Sequence, residues 1–234
     1  MSKTAGHIFE DAIYSGVTAN QDKVPQSDVD NARAMLRSAG IDPSWLKTPQ
    51  EAGIKSGRMS PKTDLYVLTP TGQEYKISAK YNGKIQFCSV NRNTAASMFA
   101  LAAERANIDS KDLDNFIGKF KSSLPKGVSE REYYTWVDNH RDQFLKEMKH
   151  WLKEYPELNY HLTDIALTGN GLYKDKKALA NWVLTENKFV MITDDYTKKC
   201  SKIAKPDFRK KSRKNRTDNE ANFRMDADLS ELDI

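Results

Sequence analysis

Apolar residues return at helical spacing at the start of the chain, where Ile8, Phe9, Ala12 and Ile13 of AGHIFEDAIYSG fall on one side and Gly16 is placed to stop the helix. Glu10 projects from a different part of that helix. A second helix is predicted from the Ser27-Asp28-Val29-Asp30 box through NARAMLRSA to Gly40. After turns around Pro43 and Pro49 the period changes to two. DLYVLT and EYKISAKY, separated by PTGQ, read as a β-hairpin. GKIQFCSV follows the Asn82-Gly83 turn as a further strand, and Asn93-Thr94 is expected to cap the helix TAASMFALAAERA, giving a local order β-β-β-α.

Residues 109–161 read as helical throughout. Ser129 with Glu132 forms a capping box, and Trp136, Phe144, Leu145, Met148, Trp151 and Leu152 make a core stripe up to Tyr155-Pro156. HLTDIALTGNG then ends a helix at glycine, KKALANWVL is read as another short helix, and KFVMITDD and ANFRMDADL as strands; the acidic end DLSELDI is expected to fray. The pattern predicts an α/β fold in which a mixed sheet seeded by the hairpin is flanked by the Glu10 helix and the 94–107 helix. At 234 residues the chain is read as one domain, with 109–161 as a helical subdomain or insertion.

Composition narrows the function classes. No run approaches the roughly 18 apolar residues of a membrane helix. Cys88 and Cys200 lie far apart and no signal-like stretch opens the chain, so a reducing bacterial cytoplasm, or that of a phage-infected cell, is expected. The net charge of +5 is uneven: residues 196–224 hold eleven Lys/Arg against three acids, a local +8 that leaves −3 for the remainder. Such a segment either is a solvated basic tail or meets a polyanion. His7, His140, His150 and His161 show no metal-ligand spacing, and GNGLYKDKK lacks the ending of a phosphate loop.

The hairpin carries the candidate chemistry. With its turn centred near Thr71, antiparallel partners sum to 142, so Asp64 lies opposite Ser78 and beside Lys80. Ser78 and Lys80 share a face, and Asp64 can belong to it. A carboxylate able to hold Mg²⁺ thus meets an amine able to position or stabilise a hydroxide, the pair that phosphodiester hydrolysis needs.

These residues resemble the PD-(D/E)xK, or restriction-endonuclease-like, nucleases. Pro61-Lys62-Thr63-Asp64 matches the first half of the motif and Ser78-Ala79-Lys80 the second, preceded by Glu10 in GHIFEDAI; KTDLYV followed by ISAKYNGKIQF looks like the bacterial and phage members that write Ser-x-Lys. The resemblance covers residues 1–107 well and the rest loosely. It implies Asp64 as the central metal ligand, Lys80 as the catalytic lysine, Glu10 as an accessory carboxylate and the Ala79 carbonyl as a further ligand. It also implies Gln86 as a phosphate or water contact, Mg²⁺ (Mn²⁺ as substitute) as cofactor, DNA as substrate, and a homodimer as an assembly many relatives use.

Ser78 stands where most of the family has an acid, and a hydroxyl is a weaker ligand for a hard cation. Either Glu10 supplies the missing charge, or the metal site is weak, or the protein binds DNA without cutting it. Glu74-Tyr75-Lys76 satisfies the motif literally but sits beside the turn, roughly 13 Å from Asp64's partner, so Ser78-Ala79-Lys80 is favoured. Lys205, Arg209, Lys210, Lys211, Arg213, Lys214 and Arg216 are expected to contact phosphates without reading sequence. The expectation is a Mg²⁺-dependent DNA endonuclease; the alternative is a catalytically inactive DNA-binding or phage assembly protein that keeps the fold.

Overall fold

The computed structural model describes residues 3–55, 60–82, 84–121, 130–209 and 222–228. In chain order its elements begin with α1 (Ala5–Ser15), α2 (Gln26–Ser38), β1 (Leu46–Lys47), β2 (Leu65–Leu68), β3 (Glu74–Ala79), β4 (Lys84–Val90), α3 (Arg92–Arg105) and α4 (Lys111–Lys121). They continue with α5 (Glu130–Glu154), α6 (Pro156–Thr168), β5 (Trp182–Leu184), β6 (Phe189–Met191), α7 (Asp194–Ile203), β7 (Lys205–Arg209) and β8 (Asn222–Asp228). The fold is mixed α/β, as the pattern predicts, and it divides into two compact units. One comprises residues 1–85, 167–197 and 228–234, the other 86–166 and 198–227.

The first unit holds a mixed sheet in the order β1-β2-β3-β5-β6. Helix α1 starts at Thr4, whose hydroxyl accepts the His7 N–H, and stops at Gly16 with φ 86°, a left-handed conformation that costs glycine little. Ile8, Phe9, Ala12 and Ile13 of α1 and Val29, Ala32 and Leu36 of α2 are buried with alternate residues of the strands, Leu65 and Val67, Tyr75, Ile77 and Ala79, and with Leu184. Each such Leu, Ile or Phe contributes about 1.5–3 kcal/mol when fully buried, so period 3.6 on the helices and period two on the hairpin specify the same core. Leu65 pairs Ile77 and Leu68 pairs Glu74 in the hairpin.

Strand β3 is central because β5 runs parallel along its other edge, pairing Ile77 with Trp182, Ser78 with Val183 and Ala79 with Leu184. The expected helix over KKALANWVL is therefore corrected. Only Lys176–Ala178 makes a single 3-10 turn, and Trp182–Leu184 is a strand. Three residues carry no readable period, and the partner strand lies about a hundred residues upstream.

The second unit has its own sheet, in the order β4-β8-β7. GKIQFCSV therefore does not continue the hairpin's sheet, and the helix expected to flank that sheet, α3, belongs to the second unit, where it packs on α4. Phe99 is the hub, with ring centroids 5.8 Å from Phe116 and 5.7 Å from Phe223. On α5, Phe144, Met148 and Leu152 of the expected stripe are buried and Leu145 and Trp151 half-buried, and the Phe144 ring lies 5.6 Å from that of Phe208 of β7, tilted by 36°. Arg141 ties α5 to β7 through the Asp207 carboxylate and the Phe208 carbonyl, both at 2.8 Å. The α3 cap is Asn91, not Asn93: its side chain accepts the Thr94 N–H at 2.9 Å. Within the basic segment, the end of α7 (Asp194–Ile203) and β7 (Lys205–Arg209) are regular structure. Ser129, Lys210, Lys211, Arg213, Lys214, Arg216 and the acidic end lie outside the described residues.

Candidate active site

Asp64 sits one residue before β2, where the hairpin opens. Its N–H still donates to the Ile77 carbonyl at 2.8 Å, but its carboxylate takes over the next rung of the ladder: Oδ2 accepts the Ala79 N–H at 2.8 Å. The backbone can leave the ladder here because Thr63 is buried and turned toward the 177–179 segment. Its hydroxyl lies 2.8 Å from the Lys177 carbonyl and 2.7 Å from that of Leu179. On the other edge, the Lys80 N–H donates to the Leu184 carbonyl at 2.8 Å, so β5 holds straight the strand end that presents Lys80.

Three donors converge on one oxygen. Besides the Ala79 N–H, Asp64 Oδ2 accepts from Ser78 Oγ at 3.0 Å and from Lys80 Nζ at 3.3 Å. The Asp64 and Lys80 side chains are 20% and 23% exposed, so their attraction is less screened than a surface pair's while both remain open to solvent. Ser78 is buried and its hydroxyl orients the carboxylate. Asp64 Oδ1 accepts no hydrogen bond among the described residues, which leaves one oxygen anchored and one offered.

Glu10, on α1, completes the group. It is half-buried, and its carboxylate makes no hydrogen bond among the described residues. Burial first, and then the Asp64 carboxylate, push its carboxyl up to about 8, with Lys80 acting in the opposite direction and Asp11 adding to the rise. Two carboxyl groups this close repel when both are ionised, and a cation between them would relieve that repulsion.

The position of α1 over this end of β3 is fixed by Tyr81, which the sequence reading did not single out. Its ring lies 4.9 Å from Phe9, the neighbour of Glu10, and its hydroxyl donates to Asp28 of α2 at 2.8 Å. An aromatic directly after Lys80 was the available signal. The Pro-x-x-Asp lead-in is likewise held from outside the hairpin. Gly169 has φ 77°, a Cβ there would lie 2.6 Å from the Tyr173 ring and 2.9 Å from Lys62 Cγ, and the Tyr173 hydroxyl donates to the Ser60 carbonyl at 2.6 Å.

Glu74 and Lys76 separate from this group. Glu74 is exposed beside the turn and accepts from the Tyr66 hydroxyl at 2.6 Å, while Lys76 Nζ donates to the Lys176 carbonyl at 3.2 Å. Neither approaches Asp64 in the hairpin register, which removes the literal motif as a site. Gln86 is exposed on β4 and belongs to the second unit, as do Lys205 and Arg209 at the two ends of β7.

Two carboxylates and a backbone carbonyl at Ala79 fit a hard cation of the Mg²⁺ kind, which keeps several waters and leans on substrate phosphates. They do not form an all-protein cage, in keeping with the absence, among the described residues, of any group of three His, Cys, Asp or Glu placed to hold an ion. No described helix is long and apolar enough to cross a membrane. No family model, curated protein or solved structure matches this chain.

Proposed function

We propose that this chain is a metal-dependent deoxyribonuclease, an endonuclease of the PD-(D/E)xK type with Ser78 in place of the second acid. The reading is supported above all by the convergence of Asp64, Lys80 and Glu10 at the open end of one hairpin, with one Asp64 oxygen and the Glu10 carboxylate accepting no hydrogen bond among the described residues. Asp64 Oδ1, the Glu10 carboxylate and the Ala79 carbonyl are the groups that would hold Mg²⁺ or Mn²⁺. When bound, the ion supplies charge against the phosphoryl oxygens and lowers the pKa of water.

Each residue has a part in this scheme. Ser78 and the Ala79 N–H fix the Asp64 carboxylate so that its free oxygen faces outward. Lys80, tethered to the same carboxylate, donates to the attacking water or to the phosphoryl oxygen that gains charge. Glu10 would, once ionised, supply the charge that Ser78 lacks. Water is the nucleophile, and no covalent enzyme intermediate forms.

A plasmid-nicking assay with Mg²⁺, Mn²⁺ and EDTA, run beside Asp64→Ala and Lys80→Ala, tests this directly. Cutting that needs the metal and is lost in both variants is expected. Cutting that survives both would remove the site, and binding without any cutting would turn the reading to the inactive DNA-binding protein.

A further inference from the structure

A lysine-rich turn that the proposed chemistry does not use, residues 174–177 of GNGLYKDKK, crosses the lead-in to Asp64 within the first unit. Its backbone is pinned there. The Ala178 carbonyl accepts the Lys62 N–H at 2.8 Å, the carbonyls of Lys177 and Leu179 accept the Thr63 hydroxyl, and Thr63 is the residue directly before Asp64. Asp175 caps the 3-10 turn Lys176–Ala178 by accepting the Lys177 N–H at 2.9 Å, so its carboxylate is engaged within the turn. Ala178 is buried with Ile54 and Tyr66. Tyr66 alternates with Leu65 and Val67, which are buried with α1 and α2, so the turn covers the opposite face of the hairpin. Lys76, paired with Tyr66, and Ser78, bonded to Asp64, belong to that same face.

Ammonium groups therefore follow the Asp64 site along this face. Lys80 Nζ lies on Asp64; Lys76, about 13 Å further along β3 at about 3.3 Å per residue, donates to the Lys176 carbonyl at 3.2 Å. Lys177 Nζ stands 5.5 Å from the centroid of the Tyr66 ring. Among the described residues Lys76, Lys174, Lys176 and Lys177 make no ion pair, and the three on the turn are exposed. Glu74, at the far end of the face, is engaged by the Tyr66 hydroxyl at 2.6 Å. Lysines that only keep a loop solvated need no fixed place, whereas Lys76 and Lys177 are held over the sheet in line with Asp64. We infer that this turn, with Lys76, binds the backbone phosphates of a DNA strand next to the bond that is cut. A phosphodiester at Asp64 brings neighbouring phosphates with it, about one charge per 3.4 Å of axis along each strand, and a lysine ammonium suits their oxygens. The charges form a row, which serves a polymer; a mononucleotide at Asp64 would have no use for it. Such contacts hold the strand in register without reading its sequence. This rests on the DNA substrate proposed above but not on catalysis.

The test is binding of a short labelled DNA duplex to the full chain in EDTA, followed by fluorescence anisotropy as NaCl is raised. Lys176→Gln with Lys177→Gln should weaken binding by about tenfold and reduce the slope of log affinity against log salt by about 1.8, two phosphate contacts at about 0.9 each. Lys176→Arg with Lys177→Arg should bind as the parent does. Thermal unfolding should show both double variants folded, since the two side chains are exposed and the turn is pinned through its backbone. Unchanged affinity and slope in the Gln pair would overturn the inference. So would tighter, lysine-dependent binding of a polyglutamate than of DNA, which would assign the turn to an acidic protein. Binding that depends on these lysines in a chain that never cuts DNA would sink the catalytic reading alone, whereas cutting by the parent with unchanged binding in the Gln pair would sink this inference alone.

Discussion

Glu10 is the residue at which the account is most exposed to experiment. Its carboxyl is raised from an ordinary 4.5 to about 8 in the folded protein. An acid raised on folding keeps a proton that the unfolded chain releases, so stability is full below pH 4.5 and falls as pH climbs from there toward 8. Glu10→Gln should abolish that slope and be more stable than the parent at pH 8 by about 2 kcal/mol, a figure reduced for the water that reaches a half-buried group. Urea unfolding at several pH values measures it, and parallel pH profiles for parent and variant would contradict it. The same proton must leave when a cation binds, so Mg²⁺ affinity should rise with pH over this window.

Elements explain why these residues meet. The hairpin was legible because DLYVLT and EYKISAKY alternate around a turn, and one pairing sum then places Asp64, Ser78 and Lys80 together. α1 was legible from Ile8, Phe9, Ala12 and Ile13, although nothing in that pattern says which end of β3 it covers; Tyr81, Phe9 and Asp28 decide that through contacts across the fold. β5 was illegible because three apolar residues fit a helix or a strand equally, and its pairing is non-local. Its contribution can be measured. Leu184 is fully buried against the hairpin core, and Leu184→Ala should cost about 3 kcal/mol by the usual sum of lost transfer energy and residual cavity. A change below about 1 kcal/mol in urea unfolding would mean that β5 does not support β3 as described.

At the scale of the whole molecule, the sequence predicts one domain with 109–161 as a helical subdomain or insertion, and the fold groups those residues with β4, α3, β7 and β8 in the second of two compact units, each with its own sheet. The cause is local. β4 follows β3 after a short turn and reads as the next strand of a meander, yet it pairs with β8, more than a hundred residues later. The basic segment concealed structure for another reason: dense Lys and Arg masked the buried Tyr196, Thr197 and Cys200 of α7 and the buried Phe208 of β7. Glu10, Asp64, Ser78, Ala79 and Lys80 all lie in the first unit.

The most direct measurement of the central claim is the single-turnover rate of DNA cleavage in Mg²⁺ for Asp64→Asn beside the parent chain. The substitution keeps the size of the side chain and an oxygen for the Ala79 and Ser78 donors, and removes the charge. The account predicts a rate lower by about a hundredfold or more, on the scale of losing one electrostatic partner in a site of this kind. A parent chain that cleaves DNA at a rate unchanged by Asp64→Asn would contradict it.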